Sequence, residues 1–266
     1  MTRIGIAGAG GRMGRMIISR VMDYSDLELT AAIEHKNSPI VGLDPGPLNG
    51  LPEFGFAVSP SIENVIENFE VLIDFTNVET TLENVAVCRA ANKRAVIGTT
   101  GLSDKLDLLE EASLDIALMF APNMSIGVNI CFQVLDVVAR ALGDEYDVEI
   151  IESHHRDKID APSGTALKMG EIIANALGRQ LTDCAIYGRQ GVTGPRKSKT
   201  IGFETIRAGD IIGEHTALFA GAGERIEITH RASARANFAN GALRAAEWLM
   251  RKEKGLFDMV DVLGLR

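Results

Sequence analysis

The stretch "GIAGAGGRMG", Gly5 to Gly14, spaces Gly8, Gly11 and Gly14 three apart, and Gly10 leaves a further gap in side-chain bulk. A short apolar strand, Arg3 to Ala7, leads into it. Arg12 to Met22 follows, with Met13, Met16, Ile17 and Val21 at helical spacing. Glycines between a strand and a helix let the backbone turn sharply and approach a pyrophosphate, which then rests on helix N–H groups. A second strand, Leu27 to Ile33, ends at Glu34, about twenty residues on, where a carboxylate meets a ribose hydroxyl. A tight turn without a ligand is the rival reading of the glycines alone. The strand, the helix and the acidic residue around them favour a dinucleotide.

From there the first 120 residues alternate strands and helices. Phe56 to Val58 reads as a short third strand, and Val71 to Phe75, Ala95 to Ile97 and Ile116 to Phe120 as buried ones. Helices are expected from about Glu79 to Ala91 and Ser103 to Ala112. Such alternation implies a parallel sheet covered on both faces. The Pro- and Gly-rich run Asn37 to Gly55 is a loop inserted in this region. After Asn123 the pattern changes. A helix over Ile126 to Leu142, a strand over Tyr146 to Ile151 and a helix after Ser163 with Gly178 as its stop come first. Thr200 to Arg207, Ile211 to Ala220 and Arg225 to His230 then read as an antiparallel meander, and a long helix, Ala234 to Lys252, follows and returns to the first domain. The fold class is therefore α/β, a Rossmann-type dinucleotide-binding domain over 1–125 and 235–266. It is joined to an α+β domain over 126–234 with a mostly antiparallel sheet.

Two further strand ends belong to the expected crevice, since ligands of open α/β sheets bind beyond the carboxyl ends of strands. They are "VIGTTG", with Gly98, Thr99 and Thr100, and "MFAPNMSIGVN", with Ala121, Pro122, Asn123 and Met124. His35 and Lys36 follow Glu34. A carboxylate suits the free ribose hydroxyl of NADH, and a basic neighbour suits the extra phosphate of NADPH, so either cofactor is expected. A solvated polar strand end is the alternative for His35 and Lys36.

The 266 residues are 46% hydrophobic and 24% charged, with a formal net charge of -9 and a pI near 5.1. An acidic surface argues against nucleic acid or an anionic membrane as partner, while a local basic cleft can still attract a small acidic ligand. No apolar stretch reads as reaching membrane-spanning length. Cys88, Cys131 and Cys184 are scattered and odd in number, which points to reduced thiols and a cytoplasmic location.

One basic cluster stands out against this background. "EIIESHHRDKIDAPSGTALKMG", Glu149 to Gly170, gathers His154, His155, Arg156 and Lys158 ahead of a helix start. Ser163 is a good N-cap, and the Gly164 and Thr165 amides lie at the positive end of the helix dipole. The cluster reads as a socket for an anion, with proton donors in reach. Solvated polar surface is the rival reading. Metal binding is not expected, since neither His-x-x-x-His nor a Cys pair is present. A hydrolase role for Ser163 lacks the G-x-S-x-G elbow.

"GAGGRMG", "VLIDFT", "VIGTTG", "APNMSIGVN", "ESHHRDKIDAPSGTA", "GDIIGEHT" and "ERIEITHRASARANFANGA" occur in this order. Together they resemble the bacterial 4-hydroxy-tetrahydrodipicolinate (dihydrodipicolinate) reductase family over nearly the whole chain. The resemblance implies NAD(P)H-dependent reduction of a small cyclic dicarboxylate in the diaminopimelate route of lysine biosynthesis. It implies His154 as acid/base residue and Lys158 as proton donor, with His155, Ser163, Gly164 and Thr165 holding substrate carboxylates. Gly8, Ala9, Gly10, Gly11, Arg12, Met13, Glu34, His35, Gly98 to Thr100 and Ala121 to Met124 would contact NADH or NADPH. It also implies a homotetramer built by the second domain. Binding across two domains would call for hinges near Asn123 to Gly127 and Ser233 to Asn237. Two departures from the family pattern stand out. His35 occupies a position where many members carry arginine, and Ala208-Gly209 replaces a double glycine. A related two-domain NAD(P)-dependent dehydrogenase of another imine or amino acid is the alternative function. It would share the glycine loop without needing the whole basic cluster.

Overall fold

The computed structural model describes all residues, Met1–Arg266, and the chain divides into two compact units. The first comprises Met1–Ile126 and Arg235–Arg266, and the second Gly127–Ala234. In chain order the first contributes β1 (Thr2–Ala7), α1 (Arg12–Val21), β2 (Leu27–Ile33), β3 (Val71–Asp74), α2 (Val78–Ala90), β4 (Arg94–Ile97), α3 (Leu106–Ser113) and β5 (Ala117–Phe120). Then follow α4 (Ile126–Leu142), β6 (Asp147–His154), α5 (Gly164–Ala176), α6 (Leu181–Cys184), β7 (Ala185–Tyr187), β8 (Ile201–Arg207), β9 (Gly213–Ala220) and β10 (Arg225–Ala232). The chain closes with α7 (Ala236–Leu249), β11 (Gly255–Phe257) and α8 (Met259–Leu263).

The first unit is a six-stranded, wholly parallel sheet of order β11-β5-β4-β3-β1-β2. Its strands are mostly apolar, as in Ile4–Ala7, Val71–Ile73, Ala95–Ile97 and Ala117–Phe120, because both faces are covered. Order reverses at β1, with β2 on one side and β3 on the other, and the crevice of such a sheet opens beyond the strand ends at that reversal. On one face α1 packs beside α7 in a shared apolar cluster that includes Ile17, Ile18, Ala242 and Leu243. Gly241 makes this possible on α7, since a Cβ there would lie 1.8 Å from the Met124 carbonyl oxygen.

Three sequence expectations change here. Phe56 to Val58 forms no strand, and only a single parallel bridge joins Ile33 to Ser59. Instead, Asp44 organises the Pro/Gly loop by accepting the N–H groups of Gly46, Phe54 and Gly55. The sixth strand, β11, falls in a Gly-initiated run of three residues, too short to leave a pattern. Finally, Ile126–Glu145 is long and apolar enough to cross a membrane by length and composition. Within the second unit this helix is amphipathic. Leu135 and Ala139 enter the core, while Ile130, Val134 and Val137 are exposed.

The second unit holds a mixed five-stranded sheet, β10-β9-β6-β8-β7. The β10–β9 and β9–β6 ladders are antiparallel, and β6–β8 and β8–β7 are parallel. The expected run of three neighbouring strands is therefore split. β6 inserts between β8 and β9, because β8 pairs in parallel with β6 rather than turning back on β9. Strand β6 alternates buried and half-buried residues, so Val148, Ile150, Glu152 and His154 share the covered face. α5 lies close to the sheet at Gly170, where a Cβ would meet the Phe203 ring at 2.5 Å.

Candidate functional site

Two polar regions concentrate the chemistry, one in each unit. In the first, Gly8 adopts φ +73°, a conformation costly for a side chain. The Gly8 and Ala9 amides both donate to the Ile33 carbonyl, which ties the loop to the end of β2. A Cβ on Gly14 would lie 2.1 Å from the Gly8 carbonyl, so the third glycine seats α1 against the loop. Helix α1 starts at Gly11 without a side-chain cap and without an acidic residue in its first turn. Its opening amides are thus disposed toward an anion.

A cavity of about 890 Å³ lies over this loop, and Gly8, Gly10, Gly11, Glu34 and His35 line it, as the sequence suggests. Glu34 accepts the Gly10 amide at 2.7 Å and the His35 amide at 2.9 Å, so its carboxylate is held at the cavity wall. His35 and Lys36 are exposed beside it. A glycine cradle, an uncapped helix start and a fixed carboxylate fit a dinucleotide.

Other expected cofactor residues fall elsewhere. Arg12 is exposed and Met13 half-buried, and neither lines the cavity. Ala9, Ala121 and Met124 bury their side chains in the core, while Pro122 is exposed and Asn123 half-buried. Gly98 is buried and leaves room for Phe75, whose ring would lie 2.2 Å from a Cβ there, and Phe75 lines the cavity. Thr100 is exposed, but Thr99 is buried on a carboxylate that sequence reading missed. That carboxylate is Asp74, 1% exposed at the end of β3. It accepts from Thr76 (amide and hydroxyl), Thr81 and Asn84. Asp74 therefore fixes the β3–α2 turn, and Thr76 and Asn77 of that turn line the cavity.

The second region is built on β6. His154 is the last residue of the strand rather than a loop residue, and it is buried. Its Nδ1 lies 2.6 Å from an Oε2 of Glu152, two residues back on the same face. Glu152 is 1% exposed. Arg207 on β8 grips it with two bonds of 2.9 and 2.8 Å, and the Ser163 amide donates to its Oε1 at 3.1 Å. Burial opposes the charge on Glu152, yet the Arg207 and His154 hydrogen bonds together hold its pKa below the usual carboxylate value. Burial also lowers the His154 pKa. Glu152 offsets this in part, and the cationic Lys158 and Arg207 reinforce it.

Ser163 is the N-cap of α5, as expected, with Oγ accepting the Ala166 amide at 3.2 Å. It is 2% exposed, and its Oγ is also 2.9 Å from Nε2 of His215 on β9. The hydroxyl is thus committed to the fold. Gly164 is exposed with open space where a Cβ would project, and Thr165 is half-buried. His155 is half-buried, and Arg156 is exposed. Lys158 is held by Asp160, with Nζ at 2.7 and 2.9 Å from its two carboxylate oxygens. The turn with Ala208 is accommodated because Gly209 takes the positive φ of +51°. No group of His, Cys, Asp or Glu side chains is arranged to hold a metal ion.

Glu152, Asp160, Arg207 and His215 were not singled out from the sequence. A glutamate and a histidine at inward positions of β6 and β9 were the available signal, since strand alternation gives those positions to apolar residues.

Profiles described as dihydrodipicolinate reductase, N-terminus and C-terminus, match residues 2–124 and 127–263. This chain belongs to the dihydrodipicolinate reductase family. It is 56% identical over 267 residues to the 4-hydroxy-tetrahydrodipicolinate reductase of Hahella chejuensis, covering 100% of both chains. It is also 56% identical to that of Methylococcus capsulatus, over 99% of this chain and 98% of the relative. A dipicolinate-bound dihydrodipicolinate reductase from Paenisporosarcina sp. TG-14 shares the fold with a TM-score of 0.76 at 27% identity, covering 98% of each chain. Members of this biosynthetic family are oxidoreductases that use NADH or NADPH.

Proposed function

We propose that the chain performs its family's reaction with His154 and Lys158 as the proton-handling groups and the start of α5 as the carboxylate socket. The activity is reduction of 4-hydroxy-tetrahydrodipicolinate to tetrahydrodipicolinate. Replacing a ring hydroxyl by hydrogen consumes one hydride and one proton and releases one water. The nicotinamide cofactor supplies the hydride when bound. The glycine loop and the α1 amides would hold its pyrophosphate, and Glu34 its ribose. His35 and Lys36 lie where an added phosphate would be tolerated.

The proton is the protein's task. Lys158 Nζ is the donor, held by Asp160 until substrate arrives. His154 presents Nε2, because Nδ1 is committed to Glu152. General acid help of this kind contributes about two to four orders of magnitude. The Gly164 and Thr165 amides, with His155, would take one carboxylate of the dicarboxylate substrate. Ser163 supports them by capping the helix rather than by touching substrate. A tetramer would form through the less covered face of the second sheet, where Ile206 and Ile226 are exposed. A cytoplasmic location accords with three free cysteines, of which Cys88 and Cys184 are buried and Cys131 half-buried.

The buried Glu152–His154 pair beside the start of α5 is the observation that supports this assignment most. Its test is a steady-state assay with 4-hydroxy-tetrahydrodipicolinate generated in the cuvette, following nicotinamide absorbance. His154→Gln should lose turnover with NADH affinity unchanged. Unchanged turnover would remove His154 from the chemistry.

A further inference from the structure

Strand β6 places a glutamate at an inward position between Ile150 and His154. A buried carboxylate is unfavourable unless its charge and lone pairs are met. Here both oxygens are fully engaged. Oε2 receives His154 Nδ1 at 2.6 Å and Arg207 at 2.9 Å. Oε1 receives Arg207 at 2.8 Å, the Ser163 amide at 3.1 Å and the Thr205 hydroxyl at 3.3 Å. One carboxylate therefore touches both the imidazole and the N-cap of the helix that offers its amides to an anion.

We infer that Glu152 is a positioning residue that fixes the tautomer of His154 and, through Ser163, its placement against the carboxylate socket. The inference rests on the proton-handling role proposed above for His154. Two features carry it. An ionised carboxylate only accepts, so Nδ1 must bear the hydrogen and Nε2 is left to exchange a proton. Clearance at Nε2 is provided by Gly213 on β9, since a Cβ there would lie 3.1 Å from that nitrogen. The second feature is the shared anchor. Because Oε1 holds the Ser163 amide, a shift of the carboxylate moves the imidazole and the helix start together. Arg207 acts on the same group by neutralising it bidentately.

The charged and titratable groups around His154 are Glu152 on its own strand, Lys158 in the following loop, Arg207 on β8 and His215 on β9. Asp160 pairs with Lys158, and Glu152 is the anion that touches the imidazole itself. Removing its charge withdraws the contact that raises the His154 pKa and must drive that pKa lower still.

The test uses the full-length enzyme and three variants. Glu152→Gln should cut kcat about a hundredfold. It should move the kcat limb due to His154 to lower pH and leave NADH affinity unchanged, since the cofactor cradle lies in the other unit. In 15N spectra of the imidazole, wild type should show Nδ1 protonated in the neutral form, and the variant should lose that preference. Glu152→Asp retains the charge but withdraws it by one methylene. It should keep the tautomer and recover only part of kcat. His154→Gln run in parallel separates the two claims. An inactive His154→Gln with a Glu152→Gln enzyme of wild-type kcat, pH profile and tautomer would overturn the positioning role alone. A fully active His154→Gln would overturn both.

Discussion

At the glycine loop the groups that face a ligand are backbone amides and one carboxylate, each fixed by residues close in sequence or at the end of the next strand. Gly8, Gly11 and Gly14 act through what they lack, and Glu34 is secured by Gly10 and its own neighbour. At the start of α5 the arrangement differs. Ionisable side chains join the backbone amides there, His154 held by Glu152 of its own strand and Lys158 by Asp160, while Arg207 from β8 grips Glu152 and His215 from β9 meets Ser163. A backbone cradle holds its geometry at any ordinary pH. A socket built from ion pairs depends on the protonation of every member. On the proposal above, the cofactor would meet mainly fixed backbone amides and the substrate a cluster rich in titratable side chains.

This contrast is broken or sharpened by substitution. The largest effect is expected at Lys158→Ala, with a loss of about two to four orders of magnitude in kcat. NADH affinity, read by fluorescence titration, should not change. A parallel loss of NADH binding would mean the two regions are not functionally separate.

Next is a pH effect confined to the second unit. Burial, then the nearby His154, pushes the His215 pKa down to about 4 from 6.5. The unfolded chain therefore takes up the proton first as pH falls. Stability from neutral His215 is complete above pH 6.5 and is lost as pH drops toward 4. The full loss is about 3 kcal/mol. Urea unfolding of wild type and His215→Gln between pH 7.5 and 4 should show the wild type losing its advantage across that window. A pH-independent difference would contradict the assignment.

Gly14→Ala probes the cradle by geometry instead. Its Cβ would strike the Gly8 carbonyl, so α1 must move, at a cost of about 1–3 kcal/mol. Both cofactor forms should bind more weakly, with no change in dipicolinate affinity by calorimetry. The smallest effect is expected at Glu34→Ala, where NADH should weaken several-fold more than NADPH, on the order of 1 kcal/mol. Equal losses would show that Glu34 does not read the ribose.

The contrast also explains what the residues alone made legible. The glycine loop is a local motif, and its strand, helix and acidic residue all lie within Thr2–Glu34. The parallel sheet followed from the alternation of apolar runs with helices. The socket was half legible. His154, Lys158 and Ser163 are near one another in sequence, but His215, which meets Ser163, is 52 residues away and Arg207 is 55 from Glu152, and only strand order brings these two in. That order was itself misread, because neighbouring strands with glycine turns suggest a meander, while β8 pairs with β6. Lys158 reads from the sequence as part of an anion socket, with no sign of Asp160, two residues on, which holds it. The resemblance places Ser163 at the substrate, and in the structure its hydroxyl caps α5 and lies against His215.

The most direct measurement is a crystal structure of the enzyme with pyridine-2,6-dicarboxylate and NADH. One carboxylate should accept the Gly164 and Thr165 amides, with Lys158 Nζ turned from Asp160 toward the ring. Dipicolinate bound well away from α5, with Lys158 still paired to Asp160, would contradict the account.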